Sequence, residues 1–310
     1  MDVVPLGKSG LKVSRLGLGA WAWGDRLFWS YNRTHTFEDI KAAFHFSLDA
    51  GINFIDTAES YGSGLSERIL GELLPTSNET IVLATKFMPF PWRLTVKSLN
   101  KALESSLERL KLSSVALYQI HWPLPPVSIE TWAEALADVV HQGLVQSVGV
   151  SNYDETQMRR AYTTLAKRGV PLASNQVEFS LLKRTVESNG LLKACQELGI
   201  ALIAYSPLAK GALTGKYSFD KPMPGIRSRL YPRSYLDRIQ SLVRLTREIG
   251  LAHGVKTPAQ VALNWCMCKG TLPIPGAKNL RQAKEIYGAL GWSLNESEVA
   301  ALDTASEALG

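Results

Sequence analysis

The chain predicts an α/β fold, a (β/α)8 TIM barrel with an N-terminal β-hairpin and extra helices. Three observations lead there. Short β-branched runs alternate with longer segments of helical periodicity, in eight successive pairs. Eight such units, joined by right-handed crossovers, can close on themselves. The competing open doubly wound sheet usually carries G-x-G-x-x-G after its first strand. Here Gly17-Leu18-Gly19-Ala20-Trp21-Ala22 has alanine at the third glycine position and no helix behind it.

The elements follow in order. Val3 to Leu6 and Leu11 to Ser14 bracket Lys8-Ser9-Gly10, the layout of a hairpin with glycine in its turn. Strands are expected at 16–19, 52–55, 81–84, 115–120, 145–150, 172–177, 200–204 and 272–274. Helices are expected between them at 37–50, 66–74, 96–110, 129–141, 155–168 and 186–198. Thr36 is the N-cap candidate of the first helix, and Gly51, Gly143 and Gly199 are stop signals. A long segment after the seventh strand leads to helices near 236–252 and 258–269. Two more follow the eighth strand, at 280–287 and about 296–305. No linker-like shift in composition appears, so residues 1–310 read as one barrel domain.

Composition narrows the function classes. Hydrophobic residues make up 45% and charged residues 20%, as in a globular chain with a large core. The three cysteines, Cys195, Cys266 and Cys268, form no C-x-x-C, so neither a disulfide framework nor a metal site is expected, and a reducing compartment fits. Net charge is +6, but no basic run exceeds two residues, which argues against nucleic acid as a partner. No apolar run approaches the ~18 residues of a membrane span. The N-terminus lacks a secretory layout. A cytoplasmic protein is expected, or one of the plastid stroma if a transit peptide has been removed.

In a barrel, reacting groups hang from the C-terminal ends of strands. Those ends here carry Asp56 to Tyr61, Thr85-Lys86, Gln119 to Trp122, Ser151-Asn152, Asn175-Gln176 and Tyr205-Ser206. Singly each has an ordinary explanation: an N-cap aspartate, a solvated lysine, a hydrogen-bonded structural histidine. Together they bring Asp, Tyr, Lys and His from three adjacent strands to one rim. An ammonium beside a phenol stabilises phenolate and lowers the phenol pKa from about 10. Lys86 can do this for Tyr61, with Asp56 holding Lys86 charged and oriented; His121 could hydrogen-bond the same reacting oxygen as the phenol does. Such a phenol is a general acid suited to protonating a developing alkoxide.

With these residues in view, the sequence resembles the aldo-keto reductases over about residues 4–308. The resemblance lies in G-I-N-F-I-D-T-A-E-S-Y-G (51–62), L-A-T-K (83–86), L-Y-Q-I-H-W (117–122), S-V-G-V-S-N (147–152), Y-S-P-L-A-K-G-A-L-T-G-K-Y (205–217) and I-P-G-A-K-N (274–279). It implies an NADPH-dependent reductase of aldehydes and ketones, with a small-molecule carbonyl substrate. By that resemblance Asp56, Tyr61, Lys86 and His121 form the catalytic tetrad, and Tyr61 donates the proton. Ser151, Asn152 and Gln176 match residues that bond the nicotinamide carboxamide, and Tyr205 matches the aromatic stacked on the ring. Gly19 and Trp21 match the loop beside that ring. Ser206, Leu208, Gly211, Leu213 and Gly215 match the loop around the pyrophosphate. Gly276, Lys278, Gln282 and Glu285 match the adenosine end. Lys278 and Arg281, near the start of the last barrel helix, favour a 2′-phosphate and hence NADPH.

The sequence departs from relatives at Ala116 (often Asp), Leu144 (often Lys) and Ile286 (often Asn); the last removes a possible hydrogen bond to adenine. Trp21, Trp23, Trp29, Trp92 and Trp122 fall on loops of the active face, where they could line an aromatic mouth or pack the rim. The segment 218–235, with Arg227, Arg229 and Arg233, could close over the cofactor, greet an acidic substrate or be an irregular solvated loop. A second reading is a cofactor-sensing regulatory subunit resembling the β-subunits of potassium channels. Oligomeric state is not legible in the sequence.

Overall fold

The computed structural model describes residues 3–74 and 81–309. A two-stranded antiparallel hairpin, β1 (Val3–Pro5) and β2 (Lys12–Ser14), precedes eight parallel strands. These are β3 (Leu18–Gly19), β4 (Phe54–Asp56), β5 (Val82–Phe87), β6 (Val115–Ile120), β7 (Val145–Ser151), β8 (Leu172–Glu178), β9 (Ala201–Tyr205) and β10 (Leu272–Ile274). They pair in chain order from β3 to β10. The seam is joined by Gly17 N–H to the Pro273 carbonyl and Gly19 N–H to the Pro275 carbonyl, both 2.9 Å. Glycine is required at this seam: a Cβ on Gly19 would lie 2.8 Å from the Ile274 carbonyl oxygen.

The helices between and after the strands are α1 (Phe37–Asp49), α2 (Leu65–Leu73), α3 (Val96–Leu110), α4 (Ile129–His141), α5 (Glu155–Lys167), α6 (Thr185–Ser188) and α7 (Leu191–Leu198). They continue with α8 (Arg227–Leu230), α9 (Arg233–Arg238), α10 (Gln240–Ala252), α11 (Pro258–Cys268), α12 (Leu280–Tyr287) and α13 (Glu296–Glu307). Their starts are chemically specified. Thr36 with Asp39, Asp154 with Gln157, Thr257 with Gln260 and Asn295 with Glu298 each form a reciprocal capping box.

Strand periodicity sorts the core into two compartments. Phe54, Val82, Ala84, Leu117, Ile203, Leu272 and Ile274 point into the barrel, where Leu6 and Val13 of the hairpin close its N-terminal end. Ile55, Leu83, Phe87, Tyr118 and Ile120 point outward onto the helices. Burying each large aliphatic or aromatic side chain contributes about 1.5–3 kcal/mol. The inward residues are apolar at the bottom and become polar toward the top, with Lys86 following Val82 and Ala84 on one face of β5.

Three expectations need correction. The helix expected over 186–198 is broken into α6 and α7 at Asn189-Gly190, where Gly190 takes a left-handed φ of 82°. The helix near 236–252 is two, α9 and α10, with the break at Ile239. The segment 218–235 holds α8 and the start of α9. Periodicity alone reads through such breaks, because neighbouring short helices keep one apolar face on a shared core.

Candidate active site

Asp56 ends β4, Lys86 is the penultimate residue of β5, and His121 directly follows β6. Tyr61 opens a short kinked turn, Tyr61–Gly64, ahead of α2, in which Gly62 and Ser63 take left-handed φ of 56° and 55°. The barrel brings these four together. The Lys86 ammonium donates to Asp56 Oδ1 at 2.6 Å, to the Thr57 carbonyl at 2.9 Å and to the Tyr61 hydroxyl at 3.1 Å. All three of its donors are therefore engaged. Lys86 and Asp56 are only 0% and 2% exposed. The His121 ring stands edge-on to Tyr61, with centroids 5.7 Å apart, and its Nδ1 lies 3.4 Å from Ser60 Oγ.

The electrostatics differ from the expectation in one respect. Burial pushes the Tyr61 phenol above its ordinary value; Lys86 pulls it down, as anticipated, but does not overcome burial, to which Asp56 adds. Burial alone would lower Lys86, but Asp56 and Tyr61 outweigh it and hold the ammonium above its usual range. Tyr61 and Lys86 are thus both protonated at neutral pH. Burial, with Lys86 nearby, pushes the His121 imidazole down to about 3, so the ring is neutral across the physiological range.

A second polar network continues from the first. Gln176 Nε2 donates to Asp56 Oδ2 at 2.7 Å. Ser151 Oγ donates to the Gln176 carbonyl at 2.8 Å, and Asn152 Nδ2 to the His121 carbonyl at 3.0 Å. The Tyr205 hydroxyl donates to Asn152 Oδ1 at 3.0 Å. The four residues expected around the nicotinamide therefore form one hydrogen-bonded set across β7, β8 and β9.

A cleft of about 410 Å³ runs from Asp56 and Tyr61 to α12. Of the residues singled out in the sequence, Gly19, Trp21, Tyr205, Ser206, Leu208, Gly211, Gly276, Lys278, Gln282 and Glu285 line it. Lys86, His121, Ser151, Asn152, Gln176, Leu213 and Gly215 are not among its lining residues; the first five lie in the hydrogen-bonded networks behind it. Leu213 is fully buried in the core, and Gly215 faces Val243, Arg247 and Pro258 from a left-handed turn. Ile286, the departure noted at the adenine end, is on the cleft wall.

At the far end, Asn279 caps α12 by accepting from the Gln282 N–H at 3.1 Å. Lys278 Nζ sits 4.6 Å from the centre of the Trp29 ring and donates to the Trp29 carbonyl at 3.3 Å. Burial, then Arg227, pushes Lys278 down to about 8. The Arg227 guanidinium lies 5.3 Å from the same Trp29 ring. The arginine-bearing segment after β9 thus meets the loop after β3 across the cleft.

The tryptophans divide. Trp21 and Trp29 line the cleft, and Trp21 stacks on Phe28 at 4.9 Å beside Tyr61. Trp23 does not belong to the mouth: it is fully buried on Phe44 and donates to the Ala277 carbonyl. Trp92, stacked on Phe90, and Trp122 are exposed. Lys210, Lys216 and Asn279 line the cleft without having been singled out. Lys216, 3.3 Å from Glu285, was legible only as a lysine after glycine. Gln119, named at its strand end without a role, belongs to the site: its amide donates to Asp56 Oδ2 at 3.3 Å. Its signal was parity, two residues before His121 on a strand otherwise apolar inside.

Comparison with known proteins places this geometry. The chain is 43% identical to "Pyridoxal reductase, chloroplastic" of Arabidopsis thaliana, over 96% of this chain and 84% of that protein. It is 30% identical to aldo-keto reductase YhdN of Bacillus subtilis, over 99% and 94%. Among solved structures, the glycerol dehydrogenase of Gluconobacter oxydans superposes with a TM-score of 0.85 at 27% identity, covering 98% of this chain and 94% of that one. The family model of the aldo/keto reductases matches residues 15–307, and the chain belongs to that family.

Proposed function

We propose that the protein reduces a small aldehyde or ketone to its alcohol with NADPH, the whole chain working as one barrel unit. The observation that carries this is the chain from Asp56 through Lys86 to the Tyr61 hydroxyl, at 2.6 and 3.1 Å, opening onto the cleft. Reduced nicotinamide supplies the hydride when bound. Tyr61 donates the proton to the carbonyl oxygen. Lys86 supports the phenolate left behind, and Asp56 keeps Lys86 charged and aimed. Neutral His121 helps orient the carbonyl oxygen beside the phenol, acting as a hydrogen-bonding group and not as a cation.

The residues present fit a nicotinamide dinucleotide. Ser206, Ala209 and Lys210 take left-handed φ of 50°, 47° and 53°, a backbone that costs energy in non-glycine residues. With Gly211 they form a tight turn on the cleft wall, its Ala209 and Gly211 N–H groups bonded to the Ser206 and Leu208 carbonyls, and the missing side chain of Gly211 supports close approach of a phosphate. Lys278 has no carboxylate partner among the described residues, and it sits beside the N-terminus of α12. That supports a 2′-phosphate there, and so NADPH over NADH. Ser151, Asn152 and Gln176 would hold the carboxamide, with Tyr205 against the ring.

Trp21 beside Tyr61, backed by Phe28, supports a planar or apolar carbonyl substrate. The relative named a pyridoxal reductase puts pyridoxal on the test panel. Its chloroplastic label supports the plastid stroma beside the cytoplasm as location. Among the described residues no helix is long and apolar enough to cross a membrane. The test is NADPH oxidation with nitrobenzaldehyde, methylglyoxal and pyridoxal. Tyr61→Phe is expected to lose at least 100-fold in kcat while NADPH binding changes little. Turnover unchanged in that variant refutes the role of Tyr61. Negligible wild-type turnover on every carbonyl, with tight NADPH binding, would instead favour a regulatory subunit.

A further inference from the structure

Gln119 lies in β6, fully buried, between the apolar floor of the barrel and the polar rim. Its strand neighbour in β7 is Gly149. A Cβ on Gly149 would sit 2.4 Å from Ser174 Oγ and 3.1 Å from Gln119 Cγ. The missing side chain is therefore what leaves Gln119 room inside the barrel. There its Nε2 reaches Asp56 Oδ2 at 3.3 Å, while its Oε1 has no partner among the described residues. A buried amide with an unsatisfied oxygen costs about 1–3 kcal/mol, so packing alone is a poor reason for glutamine here. An apolar residue such as Leu117, one inward position earlier, would suit packing better.

Asp56 Oδ2 accepts from two amides, Gln176 at 2.7 Å and Gln119 at 3.3 Å. The proposed function assigns Gln176 a second task at the carboxamide. Among the described residues the Gln119 side chain has no hydrogen bond other than the one to Asp56. Gln176 can meet the carboxamide with its Oε1 and second N–H, so its amide is shared between two partners, whereas that of Gln119 serves Oδ2 alone. We propose that Gln119 is a positioning residue, holding the Asp56 carboxylate so that Oδ1 stays on Lys86 and Lys86 stays aimed at the Tyr61 hydroxyl. This rests on the reading of Tyr61 as proton donor.

The groups that face the Tyr61 hydroxyl and titrate or carry charge are Asp56 from β4, Lys86 from β5, His121 after β6 and Tyr205 from β9. Loss of a donor to Asp56 leaves more of its negative charge unscreened, which raises the phenol. The experiment uses the full chain with Gln119→Met and Gln119→Glu. For Gln119→Met, kcat is expected to fall about tenfold, the size of one hydrogen bond to a charged group, while the NADPH Kd from tryptophan quenching stays within about twofold. In nucleotide-free protein the Tyr61 titration moves upward, read as ultraviolet phenolate absorbance by difference from Tyr61→Phe. For Gln119→Glu, kcat falls further at neutral pH and recovers as pH drops, because the introduced carboxyl donates a hydrogen bond once protonated. Gln119→Met has no such recovery.

Gln119→Glu preserves shape and serves alone if Gln119→Met does not fold. Wild-type kcat and an unmoved phenol titration in whichever variant folds overturn the proposal, and so does a loss confined to stability. Those results, obtained with an active wild type and an inert Tyr61→Phe, leave the proposed function standing. Wild-type turnover that survives Tyr61→Phe removes the function reading itself.

Discussion

Lys86→Met keeps most of the side-chain volume and removes one positive charge from a site that water does not reach. Lys86 is 0% exposed and Asp56 2%, and their atoms are 2.6 Å apart. Among the described residues the variant leaves the Asp56 carboxylate two neutral amide donors, while the Thr57 carbonyl loses its lysine donor. Breaking a buried ion pair from one side costs about 3–5 kcal/mol, because the remaining charge is uncompensated. A second change, Asp56→Asn, removes that charge with almost no change of shape. The double variant is expected to regain about 2 kcal/mol or more over Lys86→Met. Neither protein is expected to turn over substrate, since Tyr61 has lost its ammonium in both. Urea denaturation at pH 7, followed by the fluorescence of the eight tryptophans, measures the stabilities, and NADPH oxidation measures activity. A double variant no more stable than Lys86→Met would refute the reasoning. Lys86→Met within about 1 kcal/mol of wild type would do the same, because the pair would then be solvated in a way that its burial denies.

Two other outcomes follow from single groups. His121 titrates at about 3 in the folded protein and near the ordinary 6.5 when unfolded. Between those values the unfolded chain holds the extra proton, so His121 contributes stability that is present above about pH 6.5 and lost as pH falls toward 3. The loss approaches about 1.4 kcal/mol per pH unit. His121→Asn is expected to flatten this part of a stability-versus-pH curve; an unchanged slope would show that His121 charges in place. Lys278 titrates at about 8 before nucleotide binds. A 2′-phosphate would hold it charged, so NADPH binding near pH 8 is expected to take up a fraction of a proton and NADH binding none. Calorimetry in buffers of different ionisation enthalpy reads the difference. Lys278→Met is expected to weaken NADPH about tenfold or more and NADH little. Equal weakening of both would place Lys278 away from the phosphate.

Local patterning was enough to reveal the order of eight strand–helix units, the hairpin and most helix starts. Caps such as Thr36 and Asp154 act through backbone groups within one turn, and strand alternation needs only neighbouring residues. The same patterning placed Asp56, Lys86 and His121 at strand ends, and a barrel puts all such ends on one rim. Helix breaks were not legible, because α6 and α7, like α9 and α10, share one apolar face across a turn.

What the tertiary structure alone decided is which groups share a dielectric environment and which share a partner. Sequence order does not say that Trp23 turns into the core while Trp21 and Trp29 turn to the cleft. It shows a lysine able to acidify a phenol, but not that burial outweighs that lysine at Tyr61. It lists two glutamines, but not that both reach one oxygen of Asp56, or that Gly149 makes space for the second. Burial and close approach are sums over residues distant along the chain, and only closure of the barrel brings those residues together.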